Sequence, residues 1–321
     1  MFAGLVLLSA ALLAATPELR AQSQEQIETI KIDTNLISVP VIVSDRDNRY
    51  VPNLKVEAFR LFDNQIEQKI AFFDTGEEPL NVVLMLDTSL STSGVLDDIK
   101  KAAKAFLKEL RPQDRAMIVT FDWQEQKLST LTSNRKELES GIKEAKVGKM
   151  AGTVLYDSLM DVSSRVLQPI RGRKAIILLS DGNDHDSVVT QDELLKSESE
   201  ADAMIYSIYY RPAALRFLGF PLTQWPRGLG QGRRGRRPRP FGTEGFDVMQ
   251  QLSEVTGGRF YQGETQTLKE TFSLIAEELR HQYRLGFYPE ELKRDGSVHA
   301  LQVKVNLPDV SVRSRREYLA K

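Results

Sequence analysis

The sequence predicts an α/β fold in which helices cover both faces of a mostly parallel central sheet, with a β segment on either side. Three observations lead to this fold class. Short apolar runs alternate with helical periodicity between residues 79 and 282, which is typical of a buried parallel sheet. Residues 30–78 and 283–321 alternate instead with a period of two, as half-buried strands do. The 321-residue chain is 41% hydrophobic, which is enough to bury a core.

The first 16 residues form an uncharged apolar run, shorter than the roughly 18 residues that span a bilayer. We expect residues 1–21 to be a secretory signal peptide, cleaved after Ala21. An uncleaved anchor and a buried helix are the alternatives. A signal peptide implies an exported chain, which is periplasmic, on the cell surface or secreted, with no transmembrane helix after cleavage.

The two flanking segments read as short strands joined by polar turns. In the first segment, strand alternation around residues 36–43 is followed by a turn at 45–48, and residues 59–62 and 66–73 form a predicted hairpin. In the second, strands are predicted over residues 283–288, 298–305 and 310–312. Each segment is too small for a large core of its own. We therefore expect them to pair into one small β-sandwich-like domain.

The central region, residues 79–282, supplies the alternating elements. Strands are predicted over 82–86, 116–121, 126–131, 175–179, 204–209 and 259–261, and helices over 95–110, 155–167, 191–201, 246–255 and 268–279. Ligands of open α/β sheets bind beyond the carboxyl ends of the strands. The loops that follow the strands are therefore where a functional site is expected.

Polar side chains reach that sheet edge from three separate loops. The first strand is followed by Asp87, Ser89 and Ser91, the fourth by Asp181, and Thr153 precedes a predicted helix. Two carboxylates and three hydroxyls are hard oxygen donors, suited to Mg²⁺, Mn²⁺ or Ca²⁺ rather than to zinc or copper. Taken singly, a Ser or Asp after a strand is often only a helix cap. Three loops in this order favour a metal site.

These residues resemble the metal-ion-dependent adhesion site of the von Willebrand factor A domain, whose pattern is D-x-S-x-S, a Thr in a second loop and D-G in a third. The resemblance covers roughly residues 80–282 and implies a Rossmann-like fold. It also implies that the hydroxyls bind the divalent cation directly, the carboxylates act partly through water, and an acidic residue of a partner protein completes the octahedron. Residues 39–52, 59–80 and 283–289 further resemble a bacterial exported family of related proteins common in Acidobacteria.

Two further residues of the third loop have open roles. Asp184 is either a hydrogen-bond acceptor for the groups around the cation or a solvated loop charge. His185, beside it, reads as a loop residue rather than as a ligand.

Composition and motifs argue against catalysis. The absence of cysteine excludes disulfides, thiolate zinc sites, iron–sulfur clusters and a cysteine nucleophile. The three histidines belong to no H-E-x-x-H sequence, and neither a G-x-S-x-G nor a Walker A sequence occurs. We therefore predict a non-enzymatic binding protein. Its rivals are an envelope assembly component with a fold-stabilising metal and an anionic-polymer binder.

The last rival rests on a basic insertion over residues 211–245. Residues 211–240 hold eight arginines and no acid, with five prolines and five glycines, a composition typical of an irregular loop. The whole chain has a net charge of −1. The positive charge of this loop therefore cancels most of the net negative charge carried by the rest of the chain. Candidate anion-binding residues are Arg233, Arg234, Arg236, Arg237 and Arg239. Their guanidinium groups suit phosphates and carboxylates, although a solvated insertion without a ligand is the alternative; nucleic acid fits an exported chain poorly.

Overall fold

The computed structural model describes residues 36–47, 49–210, 244–263, 267–289 and 296–320. The predicted signal peptide and the five candidate anion-binding arginines lie outside these ranges. None of the helices within them is both long and apolar enough to cross a bilayer.

The elements follow the predicted order. In the described residues the strands are β1 (Ile37–Asp45), β2 (Phe59–Asp63), β3 (Ile66–Gln68), β4 (Phe72–Asp74), β5 (Leu80–Asp87), β6 (Arg115–Phe121), β7 (Glu125–Lys127), β8 (Arg173–Ser180), β9 (Met204–Tyr210), β10 (Phe260–Gly263), β11 (Tyr283–Phe287), β12 (Val298–Val305), β13 (Val310–Ser314) and β14 (Glu317–Leu319). The helices are α1 (Leu96–Glu109), α2 (Arg135–Glu144), α3 (Leu155–Asp161), α4 (Gln191–Glu200), α5 (Glu244–Thr256) and α6 (Leu268–Arg280). A π-helical turn over Val162–Leu167 prolongs α3.

The central sheet has the strand order β10-β9-β8-β5-β6-β7. All its pairings are parallel except that β7 runs antiparallel to β6. Every residue of β5, β8 and β9 is buried, because apolar clusters cover both faces. One cluster includes Phe106 of α1 and Phe272 of α6, and the other includes Leu159 of α3 and Leu252 of α5. The predicted fold class, a mostly parallel sheet between helices, is confirmed.

Helix α2 is an element that the sequence reading did not identify. Its first turn is capped by the Asn134 side chain, which accepts from the backbone N–H groups of Lys136 and Glu137. Leu138 and Ile142, spaced by four residues, are its buried apolar contacts. The short apolar stripe and the intervening Gly141 weaken the helical signal. The cap followed by Glu137 at the third position was the available signal.

The flanking segments form two four-stranded sheets, ordered β13-β1-β11-β4 and β14-β12-β2-β3. Strands β1 and β11 pair antiparallel although they lie at opposite ends of the chain, as do β2 and β12. The sheets share one apolar core, which includes Val41, Leu61, Leu285 and Val303. The flanking β strands of the prediction are thus present, and they pair with each other.

One detail differs from the expected hairpin. Residues 66–73 do not form a single strand: β3 pairs with β2, and the chain then crosses to β4, which pairs with β11 of the other sheet. The turn between β2 and β3 has positive φ at Asn64 and Gln65, the geometry of a tight primed turn. The segment that the sequence predicted as one strand therefore contributes a short strand to each of the two sheets.

Candidate metal centre

The five predicted site residues lie at the carboxyl edge of the central sheet. Asp87 is the last residue of β5, and Ser89 and Ser91 follow in the next turn. Asp181 comes directly after β8, and Thr153 lies two residues before α3. Because β5 and β8 are parallel neighbours, their carboxyl ends meet, and the two carboxylates are carried to the same point.

Asp87 is fully buried, and both of its carboxylate oxygens are held. Oδ1 accepts from the backbone N–H of Ser89 at 2.9 Å, and Oδ2 accepts from Oγ of Ser180 at 2.7 Å. The same Ser180 oxygen accepts from the backbone N–H of Gly182 at 2.9 Å. Ser180 therefore connects the carboxylate of the first loop to the loop that carries Asp181.

The hydroxyls of the first loop also converge. Oγ of Ser89 and Oγ of Ser91 lie 3.0 Å apart, a hydrogen-bond distance. The turn is held by Thr92, whose hydroxyl donates to the backbone carbonyl of Ser89 at 2.7 Å. The two serine oxygens are thus presented as a pair beside Asp87.

The electrostatics of this edge are unusual for a buried site. Burial and the nearby Asp181 raise the pKa of Asp87 to about 6. Asp181 is only 4% exposed, and its Oδ1 accepts from the backbone N–H of Asn183 at 3.1 Å. Within the described part of the chain, neither carboxylate forms an ion pair with a lysine or arginine. Two buried carboxylates without a cationic partner are costly unless a cation joins them.

Thr153, on the second loop, is tied to the third loop. Its backbone carbonyl accepts from the N–H groups of His185 and Asp186 at 3.0 and 3.2 Å, respectively. Its own N–H donates to Oδ2 of Asp186 at 3.1 Å. The second loop also reaches the first, because Gly148 N–H donates to the Thr88 carbonyl at 2.8 Å. All three predicted loops therefore adjoin one another.

Asp184 bonds to the start of helix α3. Its Oδ1 accepts from the Tyr156 backbone N–H at 3.1 Å and from the Ser187 hydroxyl at 2.6 Å. In return, Asp157 of α3 accepts from the N–H groups of Val188 and Val189 at 3.0 and 2.9 Å. These reciprocal bonds fasten the third loop to the helix that follows Thr153. The side chain of His185 is exposed.

The glycine of the D-G pair has a steric reason. Gly182 has a φ of +73°, and a Cβ there would lie 2.1 Å from the Gly245 carbonyl oxygen. The first turn of α5 therefore packs directly on the backbone next to Asp181. Helix α5 begins at Glu244, so the last two residues of the predicted insertion, 211–245, belong to this helix.

Sequence reasoning missed three residues of this edge. Asp122, 3% exposed, follows β6 and accepts from the Gln124 N–H at 3.1 Å. Ser180 and Tyr210 end β8 and β9. The predicted strands end at residues 121, 179 and 209, so all three residues stand directly after a predicted strand. Examining the first residue beyond every predicted strand would therefore have found them.

The donor set fits a hard divalent cation. No group of three or more histidine or acidic side chains that could hold a metal occurs in the described ranges, so a site here depends on hydroxyls as well as carboxylates. Asp87, Asp181, Ser89, Ser91 and Thr153 offer oxygen only, the chemistry that Mg²⁺, Mn²⁺ and Ca²⁺ prefer. The buried, uncompensated carboxylates supply the negative charge that such a cation requires.

Comparison with known proteins agrees with this fold. Residues 82–183 match the family model of the von Willebrand factor type A domain. This range contains all five predicted site residues. No curated protein sequence matches the chain. The resemblance of the flanking segments to one bacterial exported family stays a prediction.

Several solved structures are similar at low identity. An aerotolerance-related membrane protein from Bacteroides fragilis is 14% identical over 63% of this chain and 98% of that chain, with a TM-score of 0.46. The vWF domain of the type V pili tip protein Mfa5 from Porphyromonas gingivalis is 14% identical over 62% and 94%, with a TM-score of 0.43. Proximal thread matrix protein 1 from the mussel byssus, with a zinc-occupied MIDAS motif, is 13% identical over 62% and 48%, with a TM-score of 0.43. The match thus spans about half of the mussel protein. Likenesses this distant carry no argument about ligand or partner.

Proposed function

We propose, from the premise that residues 82–183 match a von Willebrand factor type A domain, that this chain is an exported, non-enzymatic binding protein. A divalent cation, Mg²⁺ in our proposal, is held at the carboxyl edge of the central sheet. The cation then captures a carboxylate of a protein partner. The proposed ligands, direct or through water, are Asp87, Ser89, Ser91, Thr153 and Asp181.

One observation carries the proposal: Asp87 and Asp181 are buried side by side with no cationic side chain on either of them in the described ranges. Burial of like charges is strongly unfavourable. A bound divalent cation would relieve the repulsion between the two carboxylates, and the free energy gained in this way would contribute to the affinity for the cation. The serine pair 3.0 Å apart supplies neutral oxygens, which leave the cation with positive charge to attract an anionic ligand.

The surroundings of the site suit a protein partner. Large apolar side chains are exposed on the loops of this edge: Leu90, Trp123, Met150 and Val188. Trp123 packs against Gly152, next to Thr153, and lines an open cleft of about 630 Å³ with Val154, Met160 and Val189. Exposed apolar patches rimmed by polar groups favour protein interaction. A partner would place its carboxylate on the cation and apolar groups on this rim.

Two of the three histidines lie away from the carboxyl edge, and the third, His185 of the third loop, has an exposed side chain. His281 stacks on Tyr50, and His299 bonds to Asp63 at 2.8 Å in the β-sandwich. Neither lies at the carboxyl edge, so neither is placed to act as a general base there. The proposal therefore assigns the cation a binding role.

Calorimetric titration of Mg²⁺ and Mn²⁺ tests the cation site. We expect one cation per wild-type chain, at least ten-fold weaker binding by Ser89→Ala, and no change in Ser93→Ala. Ser93 is the matched control because it lies in the same turn but is exposed. Absence of binding by the wild type, or equal binding by all three proteins, would refute the proposal.

The rival function, an envelope assembly component whose metal only stabilises the fold, predicts a closed coordination sphere. Mn²⁺ in an open site relaxes solvent water protons, and a carboxylate that replaces its water lowers this effect. We expect strong relaxation by the Mn²⁺-loaded protein and a decrease on titration with acetate or a glutamate-containing peptide. Bound Mn²⁺ without this relaxation would favour the rival.

A further inference from the structure

A buried hydroxyl at the candidate site lacks a well-formed hydrogen bond. Tyr210, the last residue of β9, is 5% exposed, and its hydroxyl makes no well-formed hydrogen bond to any described residue, although the Ser91 and Asp87 side chains lie close enough to interact with it. Leaving a buried hydroxyl without a partner is unfavourable, because the water it gave up on burial is not replaced. Buried polar groups without partners are uncommon and call for an explanation.

The position of Tyr210 supplies one. Strand β9 lies beside β8, with Tyr209 opposite Ser180, so Tyr210 stands next to the start of the Asp181 loop. The polar groups that act on its hydroxyl belong to Asp87, Asp181 and Ser91. At neutral pH a phenol keeps its proton, so this hydroxyl can donate as well as accept.

The chemistry of a serine ligand creates a need for such a group. A hydroxyl that binds a cation turns a lone pair toward the cation, so its proton must find an acceptor elsewhere. Ser89 and Ser91 hydrogen-bond to each other at 3.0 Å, and this bond is lost when both oxygens face a cation. The proton of Ser91 then requires another acceptor nearby. Both oxygens of Asp87 already accept one hydrogen bond, from Ser89 and Ser180, but each keeps a further lone pair that can accept from a neighbouring hydroxyl.

We propose that Tyr210 is a positioning residue of the cation site, whose hydroxyl accepts the proton of Ser91 and donates its own to Asp87 when the cation is bound. No covalent bond changes in this arrangement. The inference rests on the proposed function, because it assumes that a cation occupies the edge. It explains why a tyrosine hydroxyl without a well-formed hydrogen bond stands beside Asp87 and Ser91 at the end of β9.

The substitution Tyr210→Phe, with Tyr206→Phe as the matched control, separates this role from a structural one. Tyr206 lies on the same strand and in the same apolar cluster, but its hydroxyl lies near Met204 and Glu278, away from the carboxyl edge. We expect Tyr210→Phe to bind Mg²⁺ about ten-fold more weakly than the wild type. In EDTA its urea midpoint should be unchanged or higher, because the variant removes a hydroxyl without a well-formed hydrogen bond. Tyr206→Phe should bind Mg²⁺ like the wild type.

A double-mutant cycle with Ser91→Ala then tests the hydrogen-bonded chain. We expect the loss of affinity in Ser91→Ala/Tyr210→Phe to be clearly smaller than the product of the two single losses. Wild-type affinity in Tyr210→Phe, additive losses in the cycle, or a lower urea midpoint in EDTA would each overturn the inference while leaving the cation site intact. Failure of the wild type to bind any cation would instead refute the proposed function.

Discussion

The two edges of the central sheet treat buried carboxylates in opposite ways. At the amino edge, Asp114 is 3% exposed and is paired with Arg111 at 3.3 Å. It also accepts from the Leu80 N–H at 2.9 Å. At the carboxyl edge, Asp87 and Asp181 are as deeply buried, but their partners in the described ranges are hydroxyls and backbone N–H groups. The amino edge carries its own counter-charge, whereas the carboxyl edge lacks one.

The amino edge is also rich in arginine beyond that pair. Arg173, 2% exposed, donates to the Gly76 carbonyl at 2.8 Å, and Arg115 donates to Oδ1 of Asn81 at 2.8 Å. The first bond attaches the linker from the β-sandwich to the start of the sheet, and the second joins β6 to β5. The difference is what we expect if the amino edge serves stability and the carboxyl edge binds the cation of our proposal.

The largest expected effect comes from breaking the amino edge. Asp114→Asn leaves Arg111 without its counter-charge and should lower the free energy of unfolding by about 3 kcal/mol. Urea unfolding in EDTA and in Mg²⁺ measures this. We expect the Mg²⁺ affinity to stay at the wild-type value. A large loss of affinity would show that the two edges are not independent.

The corresponding change at the carboxyl edge should behave in the opposite way. Asp87→Asn keeps one acceptor oxygen, for the Ser89 N–H, and places an NH2 donor next to the Ser180 hydroxyl, which can accept instead of donating. Because the variant also removes a buried charge, stability in EDTA at pH 7.5 should not fall. The wild type should gain about 2.7 kcal/mol in Mg²⁺ at 100 times its Kd, and the variant should gain nothing. Thermal melts with and without Mg²⁺ measure both. Marked destabilisation in EDTA would contradict the view that this carboxylate is uncompensated.

Glu198 sharpens the comparison, because it is a buried carboxylate that has neither a cation nor a cluster of oxygen ligands. One oxygen accepts from the Ser163 hydroxyl at 2.7 Å, and the other has no partner in the described residues. Burial raises its pKa to about 8. The folded protein therefore holds a proton that the unfolded chain releases near pH 4.5, so stability falls as the pH rises from about 4.5 to about 8.

Glu198→Gln should remove that slope. We expect the variant to be more stable than the wild type at pH 8.5 by more than about 2 kcal/mol, with little difference at pH 4.5. Urea midpoints across this pH range give the result. Parallel pH dependences in the two proteins would mean that Glu198 is charged in the fold. Mg²⁺ should not change the Glu198 contribution.

The smallest expected effect concerns the loop that carries Thr153. Gly152 has a φ of +134°, and a Cβ there would lie 2.5 Å from Oδ2 of Asp186, which accepts from the Thr153 N–H. Gly152→Ala should cost about 1.5 kcal/mol and weaken Mg²⁺ binding several-fold. Gly94→Ala is the control, since nothing lies within 4 Å of its added Cβ. Equal affinities in both variants would argue against Thr153 as a ligand.

Much of this molecule could be predicted from the sequence because its signals are local. The apolar run Val82–Leu86 predicts a buried strand wherever it is placed, and the polar residues after it must lie at that strand's carboxyl end. The crossing between β3 and β4, by contrast, has no local signal, since residues 66–73 alternate continuously. Helix α2 was missed because two apolar residues make a weak stripe.

By itself, the sequence determined the fold class and the oxygen donors that reach one sheet edge, because strand order and alternation set which loops share that edge. Only the tertiary structure decided that Asp87 and Asp181 are buried without a counter-charge among the described residues. It also decided that Ser180 links Asp87 to the loop that carries Asp181, and that the Tyr210 hydroxyl lies beside them without a well-formed hydrogen bond. Burial and hydrogen-bond partners come from contacts between residues far apart in the chain, such as Ser180 and Asp87. The uncompensated negative charge at this edge is therefore a property of the packed sheet. The residues proposed to bind a cation, in contrast, can be identified from the sequence of each loop separately.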